Sequence, residues 1–427
     1  MKKGLMLSLA ASAVLFAGGD IAPVEPVAEA PAAACDDFYG FAGAGVIFES
    51  HASTENNATA TYSLDYGHIS SDNYGVGLTD DATASNYTYG VVALLGVHKE
   101  IVSGLTVSAE VQGVAFKHHH EVASAAAGID DSCDSRISDA AALNELALAY
   151  TWCNTAFKVG RFTIDGAVSP LVATPKDYFG LKDKSFEGGM IVNTDLPDTT
   201  VWGAYVRTIV SHQNADSMNF SRVGANANNT STRKAVDVVA AGLINTSFAD
   251  TKITLAAYYD VTGDDQADAR GLPWTYMVAG SIDKKWCDTD ISLGAGYTVW
   301  DDNTSGADNS GSDYIIGGTI KQNFNSSFIT VGATYGNMKY TKYTDFTNHK
   351  VNDNNNSWAV GVAVGTDWCG YKFSAFGNYR EDETYQAGAK VSKVFSGIDF
   401  SVDYRFNHNG VNKIDSHRIR AKAIYNF

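Results

Sequence analysis

Beyond its N-terminal segment the chain has no long apolar run, and it has few prolines, few cysteines and no excess of positive charge. Each shortage rules something out. Without a stretch of about 20 apolar residues, a bundle of membrane-spanning helices is excluded. The 31 Lys and Arg against 48 Asp and Glu leave a formal charge of -17, which excludes nucleic acid as a partner and suits an exported, loop-rich surface. Of only seven prolines, three (Pro23, Pro26 and Pro31) crowd into residues 20–36, which read as an extended periplasmic leader. No nucleophilic serine motif, phosphate-binding loop or zinc-protease motif occurs, so the sequence does not read as an enzyme.

What is present is alternation. Ile398, Phe400, Val402, Tyr404 and Phe406 alternate with Asp399, Ser401, Asp403, Arg405 and Asn407, a strand period that no amphipathic helix produces. The C-terminal stretch repeats it: Ile419, Ala421, Ala423, Tyr425 and the terminal Phe427 form one uncharged face, and Arg418, Arg420, Lys422 and Asn426 form the other. Such a strand separates two media, and an ending in Phe suits a bacterial outer-membrane barrel whose last strand closes on its first. Mean hydropathy is only -0.14, yet 22 Tyr, 20 Phe and 40 Gly are spread through the chain. A membrane protein has this composition when alternate residues face lipid.

At the N-terminus, Met1-Lys2-Lys3, an apolar core from Leu5 to Phe16 and the small residues Ala17-Gly18-Gly19 read as a secretory signal peptide, residues 1–19. The remainder, 37–427, is expected to be an all-β, antiparallel up-and-down transmembrane barrel of about 18 strands with short periplasmic turns and long external loops. The expected strands are 38–49, 86–98, 105–117, 143–152, 156–163, 186–193, 200–211, 235–248, 253–262, 274–286, 291–300, 313–322, 328–338, 358–368, 371–380, 385–394, 398–407 and 417–427. The even count places both ends on the periplasmic side, and 301–312 and 343–357 are expected as long external loops. If Tyr150, Val278 and Val362 face lipid, then Trp152, Trp286 and Trp368 do so beside tight turns, as an interfacial aromatic girdle.

Three stretches carry a family likeness. Leu143-Asn-Glu-Leu-Ala-Leu-Ala-Tyr150, Lys158-Val-Gly-Arg161, and Ser185-Phe-Glu-Gly-Gly189 with Thr199-Thr-Val-Trp-Gly-Ala-Tyr205 resemble the Opr-type and major-outer-membrane-protein porins of Gram-negative bacteria. The motif-level match covers about sixty residues, and the rest is similar in pattern only. The resemblance implies an eighteen-stranded barrel in the cell outer membrane, a water-filled channel for passive diffusion of ions and small hydrophilic solutes. One departure concerns Lys158 and Arg161, which strict alternation puts on opposite faces; both reach the lumen only if Gly160 interrupts the strand.

In porins the third external loop, here residues 165–184, commonly folds into the barrel and narrows it. Pro170 and Pro175 would stiffen this loop, Tyr178 and Phe179 would pack on the inner wall, and Asp165, Lys176, Asp177, Lys182, Asp183 and Lys184 would supply the charge of the constriction. Opposite them, Arg207, Lys372, Arg380, Lys390, Arg405, Arg418, Arg420 and Lys422 are expected to point inward as a basic ladder. The ladder favours anions in the wall, while the acidic surface favours cations at the mouths; the balance is read for cations.

Cys35, Cys153, Cys287 and Cys369 share the periplasmic rim, but several strands apart they exceed the roughly 7 Å that a disulfide bridges, and Cys133 lies in an external loop. Neither they nor His118-His119-His120, whose side chains diverge on a strand, form a metal site. No cofactor is expected, with calcium bridging the acidic loops 260–268 and 301–313 as the one alternative. The expected partners are outer-membrane lipid and small solutes, and Gly40, Ala42 and Ala44 offer a packing face for a homotrimer. The competing function is a structural or adhesive surface barrel with a closed lumen.

Overall fold

A computed structural model describes residues 38–53, 62–63, 73–74, 83–123, 132–211, 233–261, 276–302, 309–338, 341–347 and 356–427, apart from 167, 170–172, 175, 177, 183 and 412. The signal and leader segments lie outside the described residues, as do Cys35 and the side chains of Cys133 and His118 to His120. Residues 262–268 and 303–308 of the acidic loops lie outside them too.

The chain forms a closed, antiparallel, all-β barrel of 18 strands. The first part supplies β1 (Phe38–Ser53), a separate short pair β2 (Tyr62–Ser63) and β3 (Asn73–Tyr74), then β4 (Thr83–Val102), β5 (Leu105–Ala123), β6 (Ser132–Trp152) and β7 (Thr155–Phe162). The middle supplies β8 (Lys184–Asn193), β9 (Thr199–Ser211), β10 (Arg233–Asn245), β11 (Thr251–Asp260), β12 (Tyr276–Trp286) and β13 (Thr289–Asp302). The last part supplies β14 (Asn309–Phe324), β15 (Ser327–Gly336), a short helix α1 (Thr341–Thr347), β16 (Ser357–Trp368), β17 (Tyr371–Arg380), β18 (Tyr385–Phe395), β19 (Ile398–Asn409) and β20 (Ile414–Asn426). Consecutive barrel strands pair, and β1 joins both β4 and β20.

The seam is complete to the last residue. Ala44 faces Ala423 and Gly45 faces Lys422, and Gly40 and Phe427 exchange two backbone hydrogen bonds of 3.0 Å. No barrel strand is therefore left as an unpaired edge. The burial pattern is inside out. Val159, Val278, Leu293, Val362 and Tyr404 are exposed on the outer wall, whereas Thr254, Ser281, Ser292, Ser401 and Asp403 are buried on the inner one. That arrangement places the apolar side chains against hydrocarbon and the polar ones around a lumen.

Short turns gather at the end that also holds Phe427, where Cys153, Cys287 and Cys369 each adopt a left-handed φ of 52° to 53° and are free and exposed. Strands run further toward the opposite end than alternation alone indicates. β6 begins at Ser132 because β5 continues to pair with it there, and the stretch 301–312 is partly strand. The expected loop 343–357 is the larger correction. Its first residues, Tyr343 to Thr347, belong to α1, in which Tyr343, Thr344 and Thr347 are all buried.

Gly160 resolves the conflict between Lys158 and Arg161. Its φ of +123° shifts the alternation of β7, so both basic side chains are buried on the inner wall while Phe157 and Val159 stay exposed. A Cβ at Gly160 would lie 2.4 Å from the Leu146 carbonyl oxygen. Gly160→Ala is therefore expected to cost about 1–3 kcal/mol of stability, measured as a shift in the urea midpoint of the folded barrel in lipid, against a change near zero for Gly189→Ala.

Candidate functional site

The inner wall begins with side chains that alternation aims inward, and the segment joining β7 to β8 folds onto them. Phe179 is buried against Phe116 of β5, with ring centroids 5.5 Å apart, and lies so close to β1 that a Cβ at Gly45 would meet it at 2.4 Å. Tyr178 stacks edge-on against Phe179 and presents its own face to β20: the Arg420 guanidinium is 3.9 Å and the Lys422 ammonium 4.7 Å from its ring centroid. Lys422 also donates to the Tyr178 carbonyl. Toward the start of the segment, Ser169 shares a 2.7 Å hydrogen bond with Tyr258 of β11. One connection thus touches strands on either side of its own hairpin, β11 in one direction and β20, β1 and β5 in the other.

Charge fixes the root of this segment. Lys182 pairs with Glu110 of β5 at 2.7 Å, and its backbone exchanges two 2.8 Å hydrogen bonds with the Gln112 side chain. Glu110 also accepts from Asn144 at 2.7 Å and from the Tyr39 hydroxyl at 2.9 Å. Alongside, Lys158 pairs with Glu145 at 2.7 Å and Arg161 with Glu187 at 2.6 Å, and Arg161 donates to the Leu143 carbonyl beside the bulge at Asn144. The wall therefore carries the buried carboxylates of Glu110 and Glu145 and the half-buried one of Glu187, each paired with a buried cation, the condition under which such pairs are tolerated. None of Glu110, Glu145 and Glu187 was selected by sequence reading. Arg161 faces Glu187 in the register of β7 and β8, a signal legible only once that register is known, whereas Lys158 reaches Glu145 off register and Lys182 comes to Glu110 from the connecting segment.

A second inward element is α1. Tyr343 donates or accepts across 2.9 Å with Ser292 of β13, Lys342 is ion-paired with Asp283 of β12, and Thr347 shares a 2.9 Å hydrogen bond with Thr334 of β15. Glycines make its bed. A Cβ at Gly294 would fall 2.5 Å from the Tyr343 ring, at Gly317 2.7 Å from Tyr343 Cβ, and at Gly332 2.8 Å from the Phe346 ring. Between α1 and the short-turn end lies a cavity of about 1200 Å³ lined by Lys252, Lys321, Lys342, Lys372 and Lys390 with Asp283, Asp290 and Asp367.

The residues expected at the constriction divide. Lys182 is buried in its ion pair, Lys184 opens β8, Lys176 is exposed and pairs through its backbone with Lys182, and the Asp165 backbone carbonyl accepts from the amides of Val168 and Ser169 in a turn. Asp177 and Asp183 lie outside the described residues, as do Pro170 and Pro175.

Of the ladder, Lys372, Arg380, Lys390, Arg405, Arg418, Arg420 and Lys422 fall on the inner parity of their strands. Arg207 does not. It sits at a bulge where β10 runs ahead by one residue, between buried Val206 and Thr208, and shares the exposed face of Val201 and Tyr205. Two members of the ladder have acidic counterparts on neighbouring strands: Glu49 for Arg418 and Asp403 for Arg420, each at 2.9 Å. Arg405 lies 5.3 Å from the Phe376 ring centroid. Arg380 pairs with Asp382 in the β17–β18 turn; burial works against the charged carboxyl, but the hydrogen bonds and charge of Arg380 outweigh it and hold Asp382 below the usual carboxylate range. Trp152, Trp286 and Trp368 stand 66%, 69% and 68% exposed beside their turns on the outer parity.

Solved structures share this architecture. OccK7 (OpdD) of Pseudomonas aeruginosa superposes with a TM-score of 0.61 at 9% identity, over 92% of this chain and 99% of that one. The fold is that of the Occ barrels. OccK8 (OprE) of the same organism gives 0.57 at 13% identity over 92% and 98%, and OccK2 (OpdF), solved in complex with glucuronate, gives 0.58 at 10% over 92% and 97%. No family model and no curated protein matches the chain. At these identities the likeness to the Occ barrels is one of fold.

The Glu110 cluster generates a direct test. Glu110→Gln leaves the buried Lys182 without its counter-charge, and a loss of about 3–5 kcal/mol is expected by urea unfolding. The double variant Glu110→Gln with Lys182→Met is expected to recover most of it.

Proposed function

We propose that this chain is an outer-membrane porin: a water-filled channel through which ions and small hydrophilic solutes diffuse passively, narrowed by the loop 165–184 and by α1. The observation that carries the reading is the pair of inward elements on a closed barrel with a polar inner wall. Residues Ser169 and Tyr178 of one loop engage Tyr258 and Arg420 on well-separated strands, while α1 occupies the wall of β13 to β16. A barrel of 18 strands has an aqueous interior wide enough to need such elements. In this reading the short turns, both chain ends and the Trp152, Trp286 and Trp368 girdle lie on the periplasmic side, where amphipathic rings suit the interface.

Selectivity then has two separate sources. Arg418 and Arg420 are largely neutralised by Glu49 and Asp403, so their main work is to hold Tyr178 and the wall around it. The mobile solute meets the field of Lys372, Lys390 and Arg405 on the inner wall, set against the acidity of the mouths. The same two inward elements also favour the competing reading, a surface barrel with a closed lumen, and conductance separates the two.

Purified protein in a planar bilayer is expected to give discrete, salt-dependent conductance steps; a folded barrel that conducts nothing overturns the channel. Arg405→Ala is expected to move the reversal potential in a salt gradient toward cations with little change in step size. Arg420→Ala, by freeing Tyr178, is expected to raise open-channel noise and step size instead.

A further inference from the structure

The outer wall carries an apolar groove of about 500 Å³ beside the seam. Its floor is built from neighbouring alanines, Ala44 opposite Ala423 on the β1–β20 pair and Ala421 opposite Val46, and its sides from Phe400 and Val402 of β19. Around it the wall carries larger exposed side chains such as Val46, Phe400 and Val402, so the small alanines leave an apolar trough between them.

The trough is not level. Phe400 pairs with Lys393 on β18, and the Lys393 ammonium lies 3.9 Å from the centroid of the Tyr371 ring. Tyr371 is the first residue of β17, next to the turn that follows Trp368, whereas Ala44 lies well inside β1. One end of the groove therefore opens at the aromatic rim and the other climbs into the apolar band.

Lys393 is the unexpected component. It falls on the outer parity of β18, with Tyr385, Ala387 and Ala389, and among the described residues no carboxylate pairs with it. A cation on the lipid face is tolerated where its stem can follow apolar surface and its head can reach the interface. The Tyr371 ring holds this head at the rim end of the groove, leaving donors of the ammonium directed at whatever lies beside it. An apolar trough ending at a positive charge at interfacial depth is complementary to one kind of molecule in a membrane.

We propose that this groove is a binding site for an anionic phospholipid of the leaflet at the short-turn end, one acyl chain lying over Ala421 and Ala423 and the phosphate resting on the Lys393 ammonium. The site rests on the membrane-spanning reading of the barrel but not on conduction through it.

The test is native mass spectrometry of the purified full chain, exchanged into micelles containing equal amounts of phosphatidylglycerol and phosphatidylcholine, with folding checked by heat-dependent gel migration. Wild type is expected to retain phosphatidylglycerol about fivefold over phosphatidylcholine, the effect of one basic group near an anionic lipid. Lys393→Gln is expected to abolish that preference, and Ala423→Phe, which fills the trough on a lipid-facing surface, to lower retention of both lipids. Soluble glycerol phosphate is expected not to compete, because it lacks the chain. Equal retention of the two lipids by wild type, an undiminished preference in Lys393→Gln, or a dimer in place of the lipid adduct overturns the site. Bilayer conductance of Lys393→Gln equal to wild type is expected alongside, so failure of the lipid site and failure of the channel are read on separate instruments.

Discussion

A backbone that crosses hydrocarbon has to satisfy its amides within itself, and in this protein the last amides satisfied are those of the β1–β20 seam. Everything else follows from that closure. Once Gly40 and Phe427 exchange their hydrogen bonds, the sheet has an inside and an outside, and the alternation of each strand assigns every side chain to one of them. The outside is given to Val, Leu, Ile and aromatic rings. The inside is left with a surplus of polar groups that no core of ordinary residues could absorb, and these groups organise the lumen.

They do so mainly by pairing. Glu110, Glu145 and Glu187 neutralise Lys182, Lys158 and Arg161 within a small patch of wall, and the loop between β7 and β8 is rooted in that patch through Lys182. Its far end rests on Arg420 and Lys422, whose charges work through an aromatic face and a backbone carbonyl. Buried ion pairs add little net stability over apolar packing, but they penalise alternative positions of the loop severely, since each alternative strands a charge. The loop is held in place by the cost of leaving it.

The fold was largely legible in the sequence because strand period is a local property. All eighteen strands were located, the faces of β20 were assigned, and Gly160 was identified as the place where Lys158 and Arg161 are reconciled. What escaped is whatever depends on partners distant in sequence. The acids that pair with the basic residues are ordinary strand residues until register brings them opposite; Glu49 and Arg418 are paired across the whole length of the chain. Helix α1 escaped because TKYTDFT is polar and short, with no apolar stripe of its own, and its burial comes from glycines on four other strands. Arg207 is a different case: alternation holds unbroken from Val201 through Tyr205 to Thr208, so its outward place follows from the strand period once Val201 and Tyr205 are read as facing out.

The glycine bed under α1 has a bearing on how such a barrel can change. On most of the inner wall, a larger residue adds only its own volume to the lumen. Under Tyr343 and Phe346, where added carbon at Gly294, Gly317 or Gly332 meets the helix at less than 3 Å, the same change displaces a whole turn of backbone with its side chains. The bore is thus set by atoms the wall does not have. Barrels of different bore can arise from one scaffold by methyl-sized steps beneath this helix, with the rest of the inner wall unaltered.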